Sequence, residues 1–237
     1  MELDNPASRL HDILARGKII PATDSCRTAW GQLLGSGSNQ ALTMARLGKV
    51  MELPQQSLNA MEVAFPHRVG ACSHWVGKLS SAFGRQDLDG VWETFIKFVD
   101  EQSMSLLGLT ADLLGGLEKR SRLDIEHLSQ VREQLNELLV AVLASDVSAD
   151  VKRWVVNYLR KIIVAIDEYH ITGALAVVEA TDGALGHARA NPEYRSFLRD
   201  HELGGRVLEG ISAAANLVTV AMSLPELAHV SQLMLGG

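Results

Sequence analysis

Apolar residues recur along most of this chain at steps of three and four, the spacing that lines one face of a helix. Leu10, Ile13 and Leu14 share such a face, and Asn5-Pro6 before them supplies an N-cap and a first-turn proline. The pattern predicts a first helix stopping near Gly17, then a short one after Thr23-Asp24 holding Trp30, Leu33 and Leu34. Gly35-Ser36-Gly37-Ser38-Asn39 reads as a loop ending in a cap. A third helix is expected over about residues 40–53, a fourth opening at Pro54 and closed by Pro66, and a fifth over about 67–83.

From Leu88 the stripes lengthen. Positions 88, 91, 92, 95, 98, 99, 106, 109 and 113 predict one long helix broken at Gly115-Gly116. Asp124 caps the next, with Leu128, Val131, Leu135, Leu138 and Val142 in a nearly strict heptad. Ser148 caps another, carrying Val151, Trp154, Val155, Tyr158, Ile162, Ile166 and Tyr169. A helix of small residues follows, from Gly173 to Ala188, and Asn191-Pro192 opens a short one through Phe197 and Leu198. Short links between long amphipathic helices favour antiparallel neighbours. The expected fold is all-α: a bundle of long antiparallel helices, preceded by short helices and followed by an apolar helical tail. Three regions follow: short helices over 1–86, a long-helix bundle over 87–203, and the tail over 204–237. No strand pattern competes; Val218-Thr219-Val220 is locally β-like, but Ala213 to Ala215 beside it favours helix.

That tail is the main functional lead. Glu226 is the single charge between Gly210 and Gly237, whereas 21% of the whole chain is charged. So much apolar surface must be buried in the fold, paired with another copy or placed in a membrane. The uncharged stretch Gly210–Leu224 is about 22 Å long as a helix, against a hydrocarbon core of roughly 30 Å. Asn216, Thr219, Ser212 and Ser223 weaken it further, which argues against a single-pass anchor. Gly210 and Ala214 form a small-xxx-small pair suited to close helix contact. Leu217 and Val218 continue the first piece, and Leu227, Val230, Leu233 and Met234 share one side of the second. Gly210, Ala214, Leu217, Val218, Leu227, Val230 and Leu233 are therefore the candidate oligomer or membrane contacts. A homo-oligomer is the expected partner state; a membrane-disrupting effector acting through the tail is the alternative.

Composition narrows the field. Hydrophobic residues are 47% of the chain, enough for a packed core. A net charge of −6, with no basic run, predicts no general affinity for nucleic acid. Cys26 and Cys72 lack metal spacing and read as two reduced thiols of a cytoplasmic protein. The acidic start Met1-Glu2-Leu3-Asp4 does not read as a signal peptide.

Candidate chemistry is sparse. Asp124/His127, Asp167/His170 and Glu226/His229 place a carboxylate three residues before a histidine, as in carboxylate-bridged di-metal bundles. The further inward glutamates that such a site needs are missing from the stripes, so no metal or cofactor is expected. Arg122/His127 and Arg68/His74 have a spacing similar to the Arg-x4–6-His motif of HEPN ribonucleases, which are also helical. The polar residue usual after that arginine is replaced by Leu123 or Val69, which leaves a helical ribonuclease as a third reading. Cys72-Ser73-His74 sets a thiol near an imidazole in sequence, but such pairs are made by the fold rather than by adjacency. No catalytic residue is assigned, and a non-enzymatic role is expected.

Two segments carry a resemblance. Asn5-Pro6-Ala7-Ser8-Arg9-Leu10-His11-Asp12-Ile13-Leu14 and Ile166-Asp167-Glu168-Tyr169-His170-Ile171-Thr172-Gly173-Ala174 resemble a group of all-helical bacterial proteins, similar along most of their length, tail included. The group brings no established activity and no catalytic residues. The resemblance implies accessory or anti-phage defence cargo, and so a conditional effector or a partner-binding component.

Overall fold

The structure is a computed structural model that describes residues 4–117 and 123–221. It is all-helical; among the described residues the only extended pairing is one antiparallel bridge between Ser25 and Val91. The chain divides into two compact units, Glu2–Arg120 and a C-terminal unit beginning at Ser121.

The N-terminal unit contains α1 (Pro6–Gly17), α2 (Cys26–Leu33), α3 (Gln40–Ala64), a 3₁₀ turn (Pro66–Cys72), α4 (Ser73–Arg85), α5 (Glu93–Ile96) and α6 (Glu101–Leu117). The Asn5 cap is a full capping box: its side chain accepts from the Ser8 amide while the Ser8 hydroxyl accepts from the Asn5 amide. The Asn5 side-chain NH2 donates to the Ala111 carbonyl at 3.0 Å, which ties α1 to α6. Trp30, Trp92 and Phe95 are fully buried; Trp30 packs edge-on against both other rings, with its centroid 5.1 Å from that of Trp92, and Trp92 stacks on Phe95. Trp92 donates its indole N–H to the Gly17 carbonyl at 2.8 Å, and Trp30 donates to Gln86 at 2.9 Å. Arg46 is buried, and its guanidinium donates to the Leu34 and Gly35 carbonyls, fixing the glycine-rich loop. That loop passes so close to α2 that a Cβ on Gly31 would lie 2.4 Å from the Gly37 carbonyl oxygen.

Two expectations fail here. Pro54 does not open a helix; it lies inside α3, which runs on through it. A proline lacks the N–H that would reach the carbonyl four residues back, but the buried stripe Leu47, Val50, Leu53, Ser57 and Met61 continues across it, so packing outweighs the lost bond. The long helix expected from 88 to 113 is broken. The amides of Trp92 and Glu93 donate to the carbonyls of Asp24 and Ala22, which draws residues 91–93 against the loop before α2. Asp100 then caps a new helix by accepting from the Ser103 amide at 2.7 Å. This helix, α6, ends at Leu117, directly after the Gly115-Gly116 pair that the sequence marked as its break. As a result α6 packs on α1 and belongs to the N-terminal unit. The division between the compact units falls at 120/121.

The C-terminal unit contains α7 (Ile125–Ala144), α8 (Ala149–Asp167), α9 (Tyr169–Thr172), α10 (Ala174–Ala190), α11 (Pro192–Asp200) and α12 (Glu202–Ala221). Its caps fall where the sequence puts them. Asp124 accepts from the Glu126 amide, Ser148 from the Val151 amide and Asn191 from the Tyr194 amide. The heptad Leu128, Val131, Leu135, Leu138 and Val142 is buried. It joins the α8 stripe Val155, Leu159 and Ile162, the α10 residues Val177 and Ala184, and α12 in one hydrophobic core. Arg132, early in α7, pairs with Asp167 at the end of α8, so these two helices run in opposite directions. Gly173 takes φ +73°, a backbone conformation open to glycine, and it separates α9 from α10.

Candidate functional site

The tail candidates lie on or beyond α12. This helix starts before the expected boundary at 204, and Gly204-Gly205 sit inside its first turn. Gly204 is required by its neighbour: a Cβ there would lie 1.8 Å from the Phe197 carbonyl oxygen, so only glycine lets α12 turn back so tightly on α11. From that turn, Val207, Ile211, Ala214 and Val218 form a stripe with no solvent exposure, packed in the core of the unit. Gly210 lies beside the stripe. A Cβ on it would approach the Leu138 and Leu135 methyls to 2.7 and 3.2 Å, so α12 nests against α7 at this glycine. Leu217 is partly buried against the same core.

Of the seven candidate contacts, Gly210, Ala214 and Val218 are thus buried by this chain's own core, and Leu217 lies at its edge. The small-xxx-small pair does mark a close helix approach, but the helix approached is α7 of the same chain. Leu227, Val230 and Leu233 lie outside the described residues. Within the described residues no helix is long and apolar enough to cross a membrane.

The polar candidates are held in pairs at helix ends. Asp124 and His127 are 3.1 Å apart and both largely exposed, with Asp124 serving as the α7 cap. Asp167 is bound by Arg132 across the α7–α8 contact, and that carboxylate pushes the guanidinium pKa up. Glu226/His229 lies outside the described residues. Among the described residues no three His, Cys, Asp or Glu side chains gather as metal ligands would. For the ribonuclease spacing, Arg122 is outside the described residues, and Arg68 is exposed on the 3₁₀ turn. His74 lies 3.3 Å from Asp100. Cys26 and Cys72 are both buried and free. Burial pushes the Cys26 thiol up, and the Cys72 sulfur lies 3.8 Å from the Thr110 hydroxyl.

Two clusters were not legible as clusters in the sequence. Asp100 gathers the Ser103 amide, His74 and Lys78, the last at 3.0 Å, and joins α4 to the start of α6. Hydrogen bonding from Ser103, with help from Lys78 and His74, holds its carboxyl well below the usual carboxylate range. The second cluster joins α8, α10 and α11 through Trp154, Tyr158, His187 and Tyr194, whose ring centroids lie 5.1 to 6.4 Å apart. The Tyr194 hydroxyl has no hydrogen-bond partner there, and burial pushes its pKa up. Rings at these separations are in mutual contact, so the cluster is a packing joint. The Asp100 cap had a sequence signal in Asp100-x-x-Ser103, hidden by the apolar stripe read across it.

The chain matches no protein-family model, and no curated protein or solved structure matches it.

Proposed function

We propose that this is a non-enzymatic helical assembly protein, built on an antiparallel bundle in its C-terminal unit and self-associating through the apolar segment after Ala221. The observation that carries the reading is the division of labour along the C-terminal sequence. The α12 stripe Val207, Ile211, Ala214 and Val218 is already covered by the chain's own core. The 16 residues that follow it, Met222 to Gly237, contain one charge, Glu226. Their apolar positions Leu227, Val230, Leu233 and Met234 need cover of their own. In this reading the contact between copies is carried by Leu227, Val230 and Leu233, while Gly210, Ala214 and Val218 serve the fold that presents them.

Sedimentation of the full chain against a chain ended at Ala221 tests it. The full chain is expected to sediment as a dimer or larger species. The shortened chain should fall toward monomer mass with an unchanged thermal midpoint. Equal masses would overturn the reading. A monomeric full chain that made vesicles leak, with leakage lost on shortening, would replace it with the membrane-effector reading.

A further inference from the structure

The proposed self-association needs a receiving surface. We infer that the segment Leu227–Met234 of one copy seats in the groove between α3 and α4 of another. This inference rests on the reading above and names the other half of its contact.

The groove arises because each helix spends one stripe on its own core and leaves the adjoining shoulder open. On α3, Leu53, Ser57 and Met61 face inward, while Met51 and Leu58 stand on the shoulder. On α4, Trp75, Leu79 and Ala82 face inward, while Val76, Ser80 and Phe83 stand on the shoulder. Between the shoulders lies a groove of about 410 Å³. That size falls in the range of binding clefts, about 300–1,000 Å³. Its floor is firm: Phe83 packs against Trp30 and Phe95 of the N-terminal core, with centroids 6.3 and 5.2 Å away. No charged side chain lines it, and Met51 remains 46% exposed.

Length and chemistry select the occupant. Met51 and Leu58 are seven positions apart on α3, about 10 Å or two helical turns. Leu227 and Met234 are also seven positions apart, and Leu227, Val230 and Met234 have the i, i+3, i+7 spacing by which a helix lays one face into an uncharged groove. A basic or acidic helix would find no counter-charge in this lining. The C-terminal segment needs none, since its one charge, Glu226, precedes the first anchor. Reciprocal seating by two copies closes as a dimer, and one-way seating propagates to larger assemblies.

The test is self-association of the full chain carrying Met51→Glu or Ser80→Glu, with the synthetic peptide of residues 222–237 as competitor. Both side chains are exposed, so each variant should keep the wild-type thermal midpoint; two sites guard against one failing to fold. A carboxylate in the groove should raise the dissociation constant for self-association at least tenfold, and the peptide should dissociate wild-type assemblies. If both variants associate like wild type while the chain ended at Ala221 does not, the groove is not the seat and the assembly reading stands. If ending the chain at Ala221 changes nothing, the assembly reading itself falls.

Discussion

The two units solve the same packing problem by different means. In the C-terminal unit, regular apolar stripes on α7, α8, α10 and α12 meet in one core, and polar groups are kept to caps and to ion pairs such as Arg132–Asp167. In the N-terminal unit, irregular pieces are joined by side chains that reach distant backbone: Asn5 to Ala111, Trp92 to Gly17, Arg46 to Leu34. Stripes distribute stability over many methyl groups, whereas ties concentrate it in single bonds whose loss strands a buried polar group. The C-terminal unit should therefore fail through charge or volume in its core, and the N-terminal unit through loss of individual donors.

The largest effect should come from Leu135→Asp. Leu135 has no solvent exposure in the centre of the α7 stripe, and the change puts an unpaired carboxylate among methyl groups. A loss of at least about 4 kcal/mol is expected in chemical denaturation. A shift below about 1 kcal/mol would mean that the stripe is not the unit's core.

Next is a pair of adjacent glycines. Gly204→Ala must displace the Phe197 carbonyl and should cost about 2 kcal/mol or more. At Gly205 a Cβ meets nothing within 4 Å, so Gly205→Ala should be neutral or stabilise α12 by up to about 1 kcal/mol. Opposite thermal shifts from neighbouring residues would locate the tight turn; equal shifts would remove it.

Trp92→Phe probes a tie in the other unit. It removes the donor to the Gly17 carbonyl and part of the ring stack, for a loss of about 2 kcal/mol. Unchanged urea midpoints would show that stripes, not ties, hold the N-terminal unit as well.

The smallest effect is pH-dependent. The Asp100 carboxyl has a lowered pKa in the fold, so its stabilisation is present above the unfolded carboxyl value of about 4 and is lost as pH falls toward the folded value. Asp100→Asn keeps an acceptor for the Ser103 amide but loses the charge facing Lys78 and His74. It should be slightly less stable than wild type at pH 7, with the gap closing below about pH 4. A gap that stays constant with pH would assign the effect to cap geometry alone.

The sequence by itself determined the all-α class, the caps at Asn5, Asp124, Ser148 and Asn191, and the buried α7 heptad. These are local properties: a cap serves amides within the next turn, and a stripe reports its own helix through the 3.6-residue period. Which helix fills which core was decided by tertiary structure. Residues 88–113 carried a stripe good enough for the bundle, yet bonds from Trp92 and Glu93 to the loop at Ala22–Asp24 broke it, and α6 joined α1. The α12 stripe lies in the C-terminal core, which decides between the covers the sequence left open for it, namely the fold, another copy or a membrane. Gly210 and Ala214 announced a close helix contact in the sequence, but only the fold named Leu135 and Leu138 of α7 as what lies opposite Gly210. The hydrophobic effect is non-directional: a stripe must be buried, and periodicity does not say against what.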